Sequence, residues 1–319
     1  MKSSTNRRRL TLAAIGIIGL LNATFLTSAH GESDDATVGA RIAEPVAASL
    51  DVRFAGEETQ EVPDFQKHVI PLIGRLGCNG RSCHGSFQGR GGFQLSLFGY
   101  DFAADHAAML DESSGRVDVD DIDESLILVK PLDADVHEGG KRFDEGSWQH
   151  HVLRRWIESG AKNDSKVPQH LTRLEIIPDE IQFTAEGEMV PLQAIAHWED
   201  GTVENVTPLC RFSSNDDAIA EINDDGQVRS GEQGDTHVVV YYDNGVIPVP
   251  VVRPVRDNVA ESLEPTSHPI DRLILRKLGK LGIEPSDICT DAEFIRRVSF
   301  DMTGILPSAD KVRHFLADP

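Results

Sequence analysis

The sequence predicts a multidomain chain in which an all-α domain comes first, an all-β sandwich second and a truncated α-helical segment last. The apolar residues follow a helical repeat after Pro63, alternate with polar residues between Leu171 and Val252, and return to a helical repeat after His268. The chain of 319 residues is also longer than one usual domain. These observations divide it into the segments 1–29, 30–58, 59–165, 168–254, 255–267 and 268–319.

The first segment has the layout of a secretory signal peptide. The basic residues Arg7–Arg9 precede the apolar run Leu10–Leu26, and the small residues Thr27–Ala29 follow it. An uncleaved membrane anchor is less favoured, because no basic stop-transfer cluster follows the apolar run. We therefore expect a protein that is exported to the periplasm or the cell surface, with no integral membrane span after signal cleavage.

The composition is strongly acidic. The formal net charge of −21 becomes −25 once residues 1–31, which carry four basic and no acidic side chains, are removed. This charge excludes nucleic acid as a partner. Segment 30–58 is acidic, rich in alanine and without periodicity, so it is predicted to be a disordered linker.

The most informative motif is Cys-Asn-Gly-Arg-Ser-Cys-His, which ends in Cys83 and His84. Two thiols can add to the two vinyl groups of one porphyrin, and a histidine directly after the second thiol can bind the iron as its proximal ligand. The spacing is two residues longer than the usual C-x-x-C-H, and the turn formers Asn79 and Gly80 are expected to bulge outward. The motif therefore predicts a covalently bound haem c on Cys78, Cys83 and His84. A Cys78–Cys83 disulfide, a structural zinc site, which needs about four ligands, and coincidence are the alternatives.

The residues around this motif have the order of elements found in a small cytochrome c. A helix that begins near Pro63 leads into the motif, and a last helix is predicted from a Ser147 cap to a stop at Gly160. Between them, the glycine-rich stretch 85–100 is expected to wrap one edge of a haem, with Arg90 near a propionate. An ordinary mobile surface loop is an equally good interpretation of Arg90 taken alone.

A second axial ligand for the iron is predicted on the loop before the last helix. The candidates are His137, Met109, His106 and His68. We favour His137, because the distal ligand of small cytochromes c usually lies on that loop and the glycines after His137 allow an imidazole to approach a flat ring. Met109 is the main alternative, although a methionine in a helix is more often a core residue. His150 and His151 are expected to face solvent or to pack at the edge of the last helix.

The middle of the chain is predicted to be a β-sandwich. Its alternating runs are separated by Asp-Gly and Asn-Gly turns and amount to about seven short strands in about 80 residues. Residues 255–267 have the composition of a linker. Segment 268–319 is predicted to contain two helices that are too short to bury much core alone, so we interpret it as the N-terminal part of a truncated helical domain.

The chain resembles a family of large exported proteins from planctomycete-type bacteria. These proteins join a c-type cytochrome region, a group 2 bacterial Ig-like domain and an uncharacterised helical domain. The matching stretches are 76–79, 82–85, 92–97, 99–101, 125–131 and 139–143, then 212–214, 219–222, 226–228 and Gly231, then 268–275, 294–298, 301–304 and 315–319. Phe212 stands where the Ig-like family usually has tryptophan. The resemblance implies haem c binding in the first region and further residues after Pro319.

The leading hypothesis for function is single-electron transfer by an exported haem c protein. The Ig-like domain then serves as a spacer or docking unit, and a redox partner protein or domain exchanges the electrons. Two imidazole ligands would give a lower reduction potential than a His/Met pair. The alternative is a cell-surface adhesion or structural protein, in which the Ig-like domain is functional and the haem or a disulfide is structural. We expect no catalytic residues in the chain, because it lacks a nucleophile elbow, a His-Glu-x-x-His helix and a phosphate-binding loop.

Overall fold

The structure is a computed structural model that describes residues 46–163, 169–256 and 266–318. The predicted signal peptide and the part of the predicted linker before Val46 lie outside the described residues. Among the helices that are described, none is both long and apolar enough to cross a membrane.

The first region consists of helices joined by loops. A π-helical turn at Phe65–Val69 runs directly into the second α-helix, and short 3-10 turns lie at Leu97–Gly99, Glu112–Ser114 and Ile122–Glu124. The α-helices are α1 (Leu50–Arg53), α2 (Ile70–Arg75), α3 (Phe102–Met109), α4 (Leu126–Leu132) and α5 (Trp148–Glu158).

The core of this region forms where the π-helical turn packs on α5. The fully buried ring of Trp156 stacks on Phe65, with ring centres 5.4 Å apart. Helix α5 begins after Ser147, whose side chain accepts a hydrogen bond from the backbone N–H of His150, and Gly160 follows its end with a left-handed φ of 93°. The predicted limits of the last helix are therefore confirmed.

The predicted disordered linker is wrong for its described part, residues 46–58. Leu50 and Phe54 are completely buried against the helical core, and the backbone N–H of Ala47 donates to the carbonyl of Val203 at 2.9 Å. The Nδ1 atom of His151 on α5 also hydrogen-bonds to the carbonyl of Phe54 at 2.9 Å. Two apolar side chains in an acidic stretch are enough to anchor it, because burying each of them contributes roughly 1.5–3 kcal/mol.

The second region is β-sandwich-like and contains ten strands in its described residues. The strands are β1 (Leu171–Ile177), β2 (Ile181–Gln182), β3 (Met189–Pro191), β4 (Gln193–Trp198), β5 (Val203–Asn205), β6 (Arg211–Ser214), β7 (Ala220–Ile222), β8 (Gln227–Ser230), β9 (Gly234–Tyr242) and β10 (Gly245–Arg253). Three sheets have the orders β1-β4-β5, β2-β10-β9-β6 and β3-β8-β7. All the pairings are antiparallel except that of β2 with β10. The expected count of seven strands is too low, because several strands have two or three residues and are too short to show an alternating pattern.

Polar contacts join the helical and β regions, which belong to one compact unit from Glu44 to Pro319. The side chain of Gln66 exchanges two hydrogen bonds with the backbone of Gln169, at 2.7 and 2.9 Å. The hydroxyl of Tyr242 donates to the carbonyl of Lys67 at 2.7 Å, and this contact is buried.

The last region contains three helices rather than the two that were expected. They are α6 (Pro269–Leu281), α7 (Asp291–Thr303) and α8 (Ala309–Leu316). The third was missed because it is only eight residues long, although the side chain of Ser308 caps it. Lys280 binds Glu180 at 2.6 Å and so ties α6 to the β region.

Candidate functional site

A cavity of about 280 Å³ in the helical region holds the residues that the sequence predicted as cofactor ligands. Cys78, Cys83, His84, Arg90 and His137 all line it. The first four come from the motif and the loop after it, and His137 comes from the loop before α5. The structure thus brings two distant segments of the chain together around one space.

Backbone hydrogen bonds fold the motif into a compact loop at the end of α2. The N–H of Cys78 donates to Ile73 at 3.0 Å, and the N–H of His84 donates to Cys78 at 2.9 Å. Gly85 has no room for a side chain, since a Cβ there would lie 2.0 Å from the carbonyl oxygen of Asn79. The expectation that Asn79 bulges outward is wrong: its side chain is 1% exposed and points into the protein. Arg81 and Ser82 are the exposed residues of the motif, so the loop bulges outward at these two positions and not at Asn79.

The imidazole rings of His84 and His137 face the same cavity in nearly parallel planes. Their centres are 6.4 Å apart and the planes differ by 12°. Each ring is held by its Nδ1 atom. The Nδ1–H of His84 donates to the carbonyls of Phe93 and Arg90 at 3.0 and 3.1 Å, and that of His137 donates to Gly140 at 2.8 Å.

These hydrogen bonds fix the tautomer of both histidines. A carbonyl oxygen can only accept a hydrogen bond, so each Nδ1 carries the proton and each neutral ring keeps a lone pair on Nε2. Burial lowers the pKa of His84, and the charges of His137 and Arg116 act in the same direction against the two carbonyl hydrogen bonds. His84 is therefore neutral near pH 7 and able to bind a metal. Histidines that bind metals usually donate their other N–H to a carbonyl or carboxylate in this way.

The separation of the rings fits one metal ion between them. An ion at the midpoint would lie 3.2 Å from each ring centre, which is half of 6.4 Å. This distance is compatible with an imidazole–metal bond of about 2.0 Å on each side when both Nε2 atoms point at the ion. With two thiols on the same cavity wall, the residues present fit a haem c whose iron has two axial imidazoles.

Both cysteines of the motif are free thiols, so the alternative of a Cys78–Cys83 disulfide is not found in the structure. Burial raises the pKa of Cys78 to about 11. This thiol therefore stays protonated at neutral pH, which makes it a poor partner for thiol–disulfide exchange.

Two further cations line the cavity, and the sequence analysis missed both. Arg116 follows the 3-10 turn at Glu112–Ser114 and Lys130 lies on α4. Arg90, which was predicted, lies 4.0 Å from Glu138, and both side chains are exposed. Lys130 lies in the matching stretch 125–131, but the sequence assigns no role to Lys130 or Arg116, because only the fold places them at the cavity.

The other candidate ligands lie elsewhere. Met109 is fully buried in the core at the end of α3. The Nε2 atom of His106 is hydrogen-bonded to the carbonyl of Ala161 at 2.8 Å, and that of His68 to Glu204 at 2.9 Å. None of the three lines the cavity.

Of the two expectations for His150 and His151, that they face solvent or pack at the edge of the last helix, the first is wrong. They are 8% and 6% exposed. The ring of His151 is hydrogen-bonded to the carbonyl of Phe54. Phe54 lies in the segment that was expected to be disordered, so nothing in the sequence predicted that this face of α5 is covered. Among the described residues, no group of three or more His, Cys, Asp or Glu side chains is arranged to hold a metal ion.

One sequence family matches the chain. Residues 269–319 match the family described as "PSCyt2: Protein of unknown function (DUF1549)". This match confirms the resemblance of the last region to an uncharacterised helical domain. It covers less than half of the chain, and no curated protein matches.

Three of the similar solved structures are two fragments of the S-layer protein SbsC and an intimin mutant. Domains 5–6 of the S-layer protein SbsC are 14% identical, with a TM-score of 0.23, and the match covers 27% of this chain and 45% of that one. Domains 4 and 5 of SbsC are 14% identical, with a TM-score of 0.23 and coverages of 28% and 54%. An intimin mutant of EHEC O157:H7 is 15% identical, with a TM-score of 0.20 and coverages of 47% and 75%. The chain thus spans about half the length of the S-layer structures, and these TM-scores are too low to establish a shared fold.

Proposed function

We propose that this chain is an exported haem c protein that transfers single electrons. The observation that carries the proposal is the near-parallel pair of imidazoles, 6.4 Å apart, in one cavity with two free thiols. Cys78 and Cys83 would hold the porphyrin through thioether bonds, His84 and His137 would bind its iron, and Arg90 would lie near a propionate. Haem iron bound in this way supplies a one-electron redox couple.

The residues of the chain favour electron transfer over chemistry on a small ligand. Both rings line one cavity and are held through Nδ1 by backbone carbonyls, so Nε2 is the nitrogen of each ring that would bind the iron. If both bind iron, no axial position remains open for oxygen or peroxide. The hydrogen bonds to backbone carbonyls also raise the basicity of the two ligands, which favours ferric iron and a low reduction potential.

The partner in this proposal is another protein or domain that accepts or supplies one electron. The β-sandwich-like region would act as a spacer or docking unit, since many cell-surface domains share that architecture. Export to the periplasm or cell surface is part of the proposal, because the N-terminal segment has the layout of a secretory signal peptide.

The decisive experiment is to produce the protein with its N-terminal segment in a host that matures c-type cytochromes. We expect the wild type to retain haem through acid–acetone extraction and to gain the mass of one haem. The variant Cys78→Ala/Cys83→Ala should lose both signals, whereas Cys289→Ala, which removes a thiol outside the cavity, should keep them. Colourless wild-type protein from such a host, or a Cys78–Cys83 disulfide found by mass analysis, would overturn the proposal.

A structural or adhesive role at the cell surface is the second candidate. It rests on the size of the β-sandwich-like region, which contains all ten described strands of the chain. The similar solved structures are S-layer and intimin domains, but TM-scores of 0.20 to 0.23 add no support. Binding to a glycan or cell surface that is equally strong in the wild type and in Cys78→Ala/Cys83→Ala would favour this candidate, because it would make the haem site dispensable.

A further inference from the structure

We propose that Arg116, assisted by Lys130, binds the propionate groups of the haem and thereby sets its reduction potential. This inference rests on the proposed haem function and names two residues of the same cavity to which the sequence analysis gave no role.

Arg116 is held rigidly at the wall of the cavity. Its guanidinium carbon lies 4.9 Å from the centre of the Phe93 ring, and Nη2 donates to the carbonyl of Gly91 at 2.8 Å. Phe93 also packs beside His84, with ring centres 4.9 Å apart. The arginine is therefore fixed close to the proposed proximal ligand, with the rest of its donor fork still available.

The guanidinium of Arg116 has N–H donors that make no hydrogen bond to the described residues. Its Nε atom is buried and has no hydrogen-bond partner among the described residues. Within the described residues, neither Arg116 nor Lys130 lies within 4.0 Å of a carboxylate oxygen, whereas Arg90 lies 4.0 Å from Glu138. Buried donors without acceptors are costly, and a carboxylate from a ligand would satisfy them.

The charge of the cavity matches a ligand with two carboxylates. Three cations line it, namely Arg90, Arg116 and Lys130, against the single acidic residue Glu138. The imidazoles of His84 and His137 add no negative charge. The planar fork of arginine binds a carboxylate through two hydrogen bonds, and lysine adds a compact point charge. Haem c is a ligand with this chemistry, since two propionates extend from its ring.

This contact would control the reduction potential in two ways. A positive charge near the iron stabilises the reduced state, because reduction lowers the positive charge of the iron. An arginine paired with a propionate also keeps that propionate ionised in both redox states. No proton is then taken up with the electron, and the potential is independent of pH in the neutral range.

The test compares Arg116→Gln and Arg116→Lys with Arg229→Gln in the haem-loaded full chain. Arg229 is an exposed arginine on β8 that does not line the cavity, so its variant controls for the loss of one charge. Potentiometric titration across the neutral pH range should give a lower potential for Arg116→Gln. It should also give a dependence on pH that approaches a tenfold change in the redox equilibrium per pH unit, about 59 mV for one electron. The reduction potential of Arg116→Lys should lie between those of Arg116→Gln and the wild type. The potential of Arg229→Gln should match that of the wild type.

The outcomes separate this inference from the proposed function. Haem-loaded Arg116→Gln with the potential and pH profile of the wild type would overturn the inference and leave the proposed function standing. Wild-type protein without haem would overturn both. If Arg116→Gln does not fold, Lys130→Gln provides the same test, with a smaller downward shift expected and an unchanged potential as the contrary result.

Discussion

At the scale of single residues, the hydrogen bonds of His84 and His137 prepare the site before any cofactor binds. Both rings are oriented by backbone carbonyls, which belong to the fold and not to a ligand. Gly139 completes the arrangement at His137, because a Cβ at that position would lie 2.7 Å from the Cε1 atom of the ring. Ligands held in this way lose little freedom when a metal binds, which is the usual requirement of a precise site.

His137→Ala is expected to change the coordination of the iron without abolishing covalent haem. The haem would remain on Cys78, Cys83 and His84, but the distal position would open, so the absorption spectrum should become high-spin and carbon monoxide should bind to the reduced protein. Met109→Leu is the control, because a swap of similar volume in the core costs less than about 1.5 kcal/mol and touches no ligand. A normal spectrum in His137→Ala, or a high-spin spectrum in Met109→Leu, would assign the distal ligand differently.

The sequence allowed candidate residues of this site to be proposed where they lie close together in one motif. Cys78, Cys83 and His84 are contiguous in a motif, and the structure places Arg90 and His137 at the same cavity. Arg116 and Lys130 could not be found in this way, because basic residues are common on helices and loops. Whether such a residue lines a cavity depends on which other segments pack around it. The role of Cys78, Cys83, His84, Arg90 and His137 in binding haem stays a prediction.

At the scale of elements, α1 shows how little apolar sequence is needed to order a segment. The helix has four residues, and Leu50 is 1% exposed whereas Val52 on the opposite face is 64% exposed. The average composition of segment 30–58 conceals this contrast, because two apolar side chains scarcely change the mean hydropathy of 29 residues. The short strands of the β region were undercounted for a related reason, since two or three residues cannot display a period of two.

Leu50→Ala should therefore destabilise the protein, although the sequence placed it in a linker. Removing a buried leucine side chain costs about 2–5 kcal/mol, because the transfer free energy is lost and a cavity remains. Val52→Ala, on the exposed face of the same helix, should change the unfolding free energy by less than about 0.5 kcal/mol. Urea unfolding of the two variants measures the difference, and equal stabilities would show that α1 does not pack against the core.

At the scale of the whole molecule, a buried polar network connects the helical and β regions. Glu204 on β5 is 3% exposed, binds Arg53 of α1 and accepts a hydrogen bond from His68 of the π-helical turn at 2.9 Å. The Nδ1 atom of His68 accepts from the backbone N–H of Asp64 at 2.9 Å, so its Nε2 carries the proton that is donated to Glu204. Polar pairs of this kind have no periodicity, which is why the sequence suggested two separate domains. The division between residues 165 and 168 stays a prediction.

This network should make the stability of the protein depend on pH. Burial alone would raise the pKa of Glu204, but the hydrogen bond from His68 and the charge of Arg53 outweigh it and hold the pKa below its ordinary value of 4.5. A carboxylate whose pKa is lower in the folded state stabilises the protein fully above the unfolded pKa. That contribution is lost as the pH falls through the folded pKa.

Glu204→Gln should lower the unfolding free energy at neutral pH by roughly 1–3 kcal/mol, because His68 and Arg53 lose the buried carboxylate that they share, although Arg53 keeps its contact with Glu61. The difference from the wild type should shrink as the pH falls below 4.5, the ordinary value at which the wild-type carboxylate begins to lose its advantage. Urea unfolding at a series of pH values measures this convergence. Glu221→Gln is the matched control, since Glu221 is exposed and lies 3.8 Å from Arg229, so its loss should cost less than about 1 kcal/mol at every pH. Parallel stability curves for the wild type and Glu204→Gln would show that Glu204 does not couple the two regions through its charge.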